Sequence, residues 1–393
     1  MGTVCRLRGS TNGREEIVRG LDDRGLARAA REGWLGRRSW NPIVGAWQGV
    51  AFDRSDIPSI SLPTSAAPIY CPPMVMNVFG SLETGPARES DLDEVVRVLE
   101  AADRALGLPP EPIREELTWI WHLPTIELER DTRILRDGDA VIAYGEAIWK
   151  HPDEGGPLNL SVRVHPDYRG AGIGSWLLTW GEGLASERGS DGVRSWAADR
   201  DASAQDLLRS RGYIHVRSAF TMRKDLEADE EPGAPPAGVR IRRYEDADER
   251  VVYEVDQASF AEHWGFRPMS LESFNEELHG EDWDPSLVFL AQASGTTVGY
   301  VVSFLFEMCG YVGSLGVLKP WRRHGIGTAL LRRAFAELAG RGSREVRLGV
   351  DTKNVHGAVA VYEGVGMSVY RRYDIFDMGT SEAAELTGGA GAS

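Results

Sequence analysis

A chain of 393 residues with 42% hydrophobic and 26% charged residues has ordinary globular usage, and at roughly 150 residues per domain it holds two domains and a remainder. Its 44 Lys and Arg against 59 Asp and Glu leave a net charge of −15, which repels a phosphate backbone and argues against a nucleic-acid partner. Cys5, Cys71 and Cys309 form no CxxC and no Cys/His cluster, so neither a disulfide framework nor a metal site is expected.

No apolar run follows Arg6 and Arg8, and no apolar stretch approaches the roughly 20 residues that span a bilayer, so a cytoplasmic location without a membrane partner is expected. Residues 1–75 show no sustained period, although they carry Trp34, Trp40 and Trp47. They read either as an ordered appendage or as a poorly ordered extension. Beyond them the chain repeats itself. Arg169 and Arg322, Gly172 and Gly325, and Gly174 and Gly327 are each 153 apart. Gly212 and Gly366 are 154 apart, and Arg88 followed by Asp91 resembles Arg243 followed by Asp246 at 155. The repeats run over 76–226 and 239–380. Between them the acidic, Pro- and Gly-rich stretch 227–238 reads as a solvated, semi-stiff linker, and 381–393 is a small-residue tail.

In the second repeat, alternation predicts a strand from Val239 to Tyr244, and Asp246 opens a helix carrying Val251, Val255 and Phe260. A short helix follows near Ser270 to Leu278. Strands are predicted from Ser286 to Ala293, Thr297 to Phe306 and Tyr311 to Val317. From Gly325 the pattern turns helical, with Leu330, Leu331, Ala334, Phe335 and Leu338 on one face. A strand from Glu345 to Val350, a helix to about Glu363 and a final strand pair complete the unit. The first repeat follows the same order.

Each repeat places a glycine-rich element between a strand and a helix: Arg169-Gly170-Ala171-Gly172-Ile173-Gly174 and Arg322-Arg323-His324-Gly325-Ile326-Gly327-Thr328. Glycine lets the backbone approach a ligand, and the free N–H groups of a helix start favour a pyrophosphate. One such element is equally compatible with tight helix packing; two in the same context favour phosphate binding. A dinucleotide fingerprint fails because Ser175 occupies its third glycine position and Arg323 its first. A Walker loop fails for want of Gly-Lys-Ser/Thr. Coenzyme A is the candidate that remains.

The segments Ser314-Leu315-Gly316-Val317-Leu318-Lys319-Pro320-Trp321 and Asn354 through Tyr362 to Gly366-Met367 resemble the GCN5-related N-acetyltransferase (GNAT) family, and Val162 to Tyr168 occupies the matching place in the first repeat. The resemblance implies an α/β fold, a mixed and largely antiparallel splayed sheet flanked by helices, in two tandem acyl-CoA N-acyltransferase domains. It implies acetyl-CoA as cosubstrate and an amine as acceptor, with direct attack in a ternary complex. It makes the backbone of Leu315 and Val317 the candidates for the thioester and pantetheine, with Asn354 and the two glycine-rich elements completing the cofactor set. Tyr362, four residues before Gly366, matches the family's tyrosine that protonates the departing thiolate; a tyrosine covering the core edge is the plain alternative. The first repeat has Leu208 there, which cannot donate a proton.

For the base that deprotonates the amine, Glu262 and His263 are candidates, set against a solvated helix end. One tandem member of the family carries a Glu where this chain has Tyr311, which argues for a different base or substrate. The acidic run Glu272, Glu276, Glu277, Glu281, Asp282 and Asp284 reads as a cation-attracting or simply solvated face. The competing function is a non-catalytic acyl-CoA-binding sensor or scaffold.

Overall fold

The computed structural model describes residues 82–123, 125–149, 156–263, 266, 268–279, 283–352 and 357–379. The segment read as an extension over 1–75, the tail over 381–393 and Asn354 lie outside the described residues.

The first repeat contributes strands β1 (Glu83–Gly85), β2 (Thr132–Asp137), β3 (Ala140–Ile148), β4 (Leu158–Val164), β5 (Gly192–Ala198) and β6 (Ile214–Asp225). Its helices are α1 (Leu92–Ala105), α2 (Ile113–Trp121), α3 (Leu128–Asp131), α4 (Ile173–Arg188) and α5 (Ala202–Ser210). The second repeat contributes β7 (Val239–Arg243), β8 (Val288–Ala293), β9 (Thr296–Leu305), β10 (Gly310–Val317), β11 (Glu345–Asp351) and β12 (Ser368–Gly379). Its helices are α6 (Glu249–Phe260), α7 (Leu271–Leu278), α8 (Ile326–Gly340) and α9 (Ala358–Gly364). The start of the duplication is shifted from the sequence match: Asp91 caps the backbone N–H of Arg88, and the equivalent cap is Asp248 on Glu245 rather than Asp246. The offset there is 157, so insertions fall between the first helix and the glycine loop.

Helices cover both faces of one sheet, as a sheet apolar on both sides requires. Alternation along the strands separates the two layers. In the second repeat Phe289, Val301, Val346 and Leu348 pack beneath Leu330, Leu331, Phe335 and Leu338 of α8. Leu290, Tyr300, Val302 and Phe304 face Val252 and Val255 of α6 and Phe274 of α7. The first repeat is built alike, with Leu178 and Leu184 of α4 over Leu158 and Leu160, and Val95, Leu117 and Trp121 of α1 and α2 against Tyr144 and Ile148.

The sheet has 12 strands in the order β1-β2-β3-β4-β5-β12-β6-β11-β10-β9-β8-β7. The last strands are therefore exchanged. β6 runs antiparallel to β11 from Asp225↔Glu345 to Ala219↔Asp351, and β12 runs antiparallel to β5 from Ala198↔Tyr373 to Gly192↔Gly379. The two exchanged strands also pair with each other, Phe220 opposite Arg372. What the sequence suggested as a closing strand pair of the second repeat is one strand of 12 residues whose neighbours both come from the first repeat. An extra residue at Tyr370 interrupts its alternation, and opposite Ile375 and Phe376 the extra residue, Val216, is on β6.

Buried ion pairs fasten the exchange. Arg347 on β11 reaches Glu111 at 2.7 Å, and Arg371 on β12 reaches Asp103 at 2.7 Å, so the α1–α2 connection of the first repeat is fixed over strands of the second. The stretch between the repeats is likewise anchored. Glu230 binds Lys224 at 2.7 Å, and Pro236 lies beside Gly325 at the start of α8.

Candidate active site

The parallel pairs that close each half of the sheet separate almost at once. β10 and β11 are matched only at Gly310↔Val346 and Tyr311↔Arg347, and β4 and β5 only at Leu158↔Val193 and Asn159↔Arg194. Beyond those points each sheet is splayed, and strand groups on the opened side have no ladder partner.

The two splays differ. β10 pairs with β9 as Val312↔Ser303 and then Ser314↔Val302, so Gly313 is an extra, bulged residue. β4 pairs with β3 without a shift from Asn159↔Ile148 to Val164↔Ala143. A bulge re-aims the backbone beside an active site, and only the second repeat has one in this strand. Leu315 and Val317, expected to offer backbone groups there, turn their side chains into the core under α8.

Tyr362 projects from α9 and packs, partly buried, against the same core. Burial alone pushes its phenol up to about 12, so it holds its proton throughout the neutral range, the state a general acid requires. Leu208, at the equivalent place, is a 3% exposed filler of the first repeat's core. Its neighbour Leu207 approaches within 3.3 Å of where a Cβ on Gly174 would stand, whereas around Gly327 only Leu315 and Val317 of β10 come within 4 Å. Among the described residues, a side chain of α5 thus packs against Gly174, whereas none of α9 comes within 4 Å of the corresponding place at Gly327.

The glycine loops share one backbone. Gly172 and Gly325 take φ of 84° and 78° at the N-caps of α4 and α8, and Gly170 and Arg323 take φ of 79° and 64° two residues earlier. Left-handed residues at the positive end of a helix are the backbone form that anion-binding nests take. Ile173 and Ile326 bury their side chains and offer backbone only. Arg323 and His324 are exposed, His324 Nδ1 lying 2.8 Å from the Arg322 carbonyl oxygen, and Thr328 is half-buried in the first turn of α8.

Arg322 was expected to add charge for the phosphates, yet its guanidinium is directed elsewhere. Its Nε donates to the Val317 carbonyl at 3.0 Å and its Nη2 to the Ser259 carbonyl at 2.8 Å, tying the end of α6 to the end of β10. Arg169 lies 3.4 Å from Asp201. Arg322 also reaches Glu262, which Lys319 pairs as well. The Lys319 ammonium, with Arg322, holds the exposed Glu262 carboxyl below the usual carboxylate range, the wrong direction for a base. His263 stacks edge-on against Phe260, with ring centroids 4.7 Å apart.

A cluster not anticipated from sequence sits on the α6 face of the bulge. Tyr300, fully buried on β9, donates its hydroxyl proton to Asp256 on α6 and lies within hydrogen-bond distance of Ser314 Oγ. Asp256 followed the polar face of a helix and gave no signal; only the β9–β10 register brings the three together. Tyr311 is buried against Phe306. Cys309 is buried, and burial pushes its thiol up to about 12, consistent with a filler. Among the described residues no group of three or more His, Cys, Asp or Glu is placed to hold a metal, and no helix is long and apolar enough to cross a membrane.

A splayed mixed sheet, a bulged strand beside the opening and a glycine loop capping the next helix define an acyl-CoA-dependent acetyltransferase. The chain belongs to the acetyltransferase (GNAT) family, which it matches twice, over residues 96–213 and 250–367. It is 29% identical over 296 residues to a mycothiol acetyltransferase of Thermobispora bispora, spanning 72% of this chain and 96% of that protein. To a mycothiol acetyltransferase of Nocardiopsis dassonvillei it is 31% identical over 323 residues, spanning 72% and 94%. Among solved structures, a GCN5-related N-acetyltransferase of Sphaerobacter thermophilus superposes with a TM-score of 0.69 at 28% identity, covering 76% of this chain and 96% of that one. A tandem GNAT protein of the clavulanic acid biosynthesis pathway shares the fold at a TM-score of 0.57 and 19% identity, covering 76% and 99%. The chain is an acetyltransferase that moves an acetyl group from acetyl-CoA to an amine, and the sensor or scaffold alternative is not favoured.

Proposed function

We propose that transfer takes place in the second repeat, onto a primary amine of a small molecule or peptide, and that the first repeat supports it without catalysing. The observation that carries this is the asymmetry of the two splays. One has the bulge at Gly313 and Tyr362; the other has a regular ladder, with Leu207 packed against Gly174 and Leu208 in place of the tyrosine. A small-molecule acceptor agrees with the mycothiol acetyltransferases among the relatives. The buried Tyr311 argues that the acceptor is handled by different groups here.

Acetyl-CoA would lay its pyrophosphate on the N–H groups at Gly325 to Gly327 and its pantetheine along β10, bringing the thioester to the bulge. The neutral amine attacks the carbonyl carbon, its nitrogen gives up one proton to solvent, and the tetrahedral intermediate collapses with loss of the thiolate. Tyr362 gives that sulfur its proton, and solvent restores the phenol. No covalent enzyme intermediate is needed. Thiol release over a panel of primary amines, with mass spectrometry of the products, tests the reading. A product 42 mass units heavier than its amine is expected (about one acetyl group for one hydrogen), and acetyl-CoA binding without turnover on any acceptor would overturn it.

A further inference from the structure

Resting on that reading, we propose that the Ser314 hydroxyl is the contact for the acceptor's amine nitrogen, set in place by Tyr300 and Asp256, with the Ser259 hydroxyl beside it. The ligand class is a primary amine.

The donor count fixes the direction of the chain. A phenol has one proton, and Tyr300 donates it to Asp256 Oδ1. Tyr300 can then only accept from Ser314, whose own proton is taken up in that bond. The lone pairs of Ser314 Oγ are left as acceptors on the bulged strand, and the residue is half-buried rather than sealed. An amine N–H is the complementary group. Burial, followed by the Asp256 charge, raises the Tyr300 phenol well above its ordinary value, so the phenol keeps its proton at neutral pH.

A second, independent observation concerns Ser259. It is 3% exposed, and its Oγ has no hydrogen-bond partner among the described residues. It lies 3.1 Å from where a Cβ on Gly316 would stand, next to the Tyr300 ring. A buried hydroxyl without a partner is costly, and a ligand N–H or carbonyl would satisfy it. Gly316 makes the arrangement possible, since a Cβ there would come within 2.4 Å of Tyr300 Cε1.

The first repeat shows the same positions without the alignment. Ser161 and Tyr144 hold the register places of Ser314 and Tyr300, opposite Glu146 and Arg163 where the second repeat has Val302 and Gly316. The Tyr144 hydroxyl is turned to Glu146 at 2.8 Å and receives the Trp121 indole N–H at 2.8 Å. Its serine is not engaged. The aligned chain therefore accompanies the bulge and Tyr362, in the repeat proposed to be active.

The test uses the full chain, with acetyl-CoA, the amines that the panel identifies as substrates, and the variants Ser314→Ala, Tyr300→Phe and their double. The expected result is a fall of about 10–100-fold in kcat/KM for the amine, mainly through KM. Acetyl-CoA affinity by calorimetry should stay within about twofold, the double variant should be no worse than the worse single one, and Ser314→Thr should recover most of the loss. Unchanged amine kinetics in Ser314→Ala would overturn the proposal. So would parallel losses of amine kinetics, acetyl-CoA affinity and melting temperature, which would mark a purely structural hydrogen bond. A wild-type chain that releases thiol with no amine would contradict the acetyl-transfer reading itself and this assignment with it.

Discussion

Arg194 on β5 and Asp377 on β12 face each other through two hydrogen bonds of 2.8 Å, their side chains 7% and 2% exposed, and so join the two repeats by a buried ion pair. Removing one partner of such a pair strands a charge in the interior. Asp377→Ala should destabilise the protein by about 3–5 kcal/mol, measured by urea unfolding. Replacing both residues by apolar side chains of similar volume should recover most of that loss. The unfolding should be a single transition, because neither half of the sheet is complete without the other's last strand.

The exchange itself gives a second expectation. A fragment starting at residue 239 lacks β6, leaving the β11 edge and the underside of β12 unpaired. An open, apolar strand edge templates association. The fragment should aggregate, and adding back the segment 214–225 as a peptide should raise its soluble yield. A soluble, well-folded monomeric fragment on gel filtration and circular dichroism would count against the exchanged topology.

Much of this was legible in the sequence, and the illegible parts share a cause. The duplication and the glycine-rich loops were visible because Gly172 and Gly325 sit where the backbone needs a positive φ, a local requirement that fixes residue type. The exchange was not visible. β6 and β12 are equivalent members of a duplication, and either could lie beside β5 or β11 on pattern alone. Arg322 stands in the glycine-rich element, and only the structure shows its guanidinium reaching the end of α6; nothing in the sequence marks Asp256, which meets Tyr300 across the sheet. Each miss is a long-range contact that spacing does not encode.

Buried carboxyls in the first repeat make stability depend on pH in an unusual sense. Burial pushes Glu146 up to about 7, from an ordinary 4.5, and Glu116 up to about 8. A carboxyl whose folded value is raised binds its proton more tightly in the native state, so stability is highest below the ordinary value and is lost as pH rises through the raised one. For Glu146 the window runs from about 4.5 to about 7 and is worth roughly 3 kcal/mol. Glu146→Gln should flatten the slope across this window and be the more stable protein at pH 8, as read from urea midpoints at successive pH values. An identical slope in the variant would place the titration elsewhere.

The two phosphate loops should respond unequally to the same change. Gly325→Val imposes a branched side chain at φ 78° on the nest of the second repeat, and Gly172→Val does so at φ 84° in the first. Each costs about 1–3 kcal/mol in backbone strain. Turnover should be abolished by the Gly325 change and fall less than about threefold with the Gly172 change. Equal loss from both would mean that the first repeat's cofactor site takes part in catalysis.

Tyr362 carries the central claim that chemistry belongs to the second repeat, and it is isolated most directly by single-turnover thiol release in Tyr362→Phe with acetyl-CoA prebound and saturating amine. Loss of one positioned proton donor should slow release by about 10²–10³-fold while acetyl-CoA affinity, measured by calorimetry, changes by less than about threefold. Release at the wild-type rate, with affinity intact, would contradict the account.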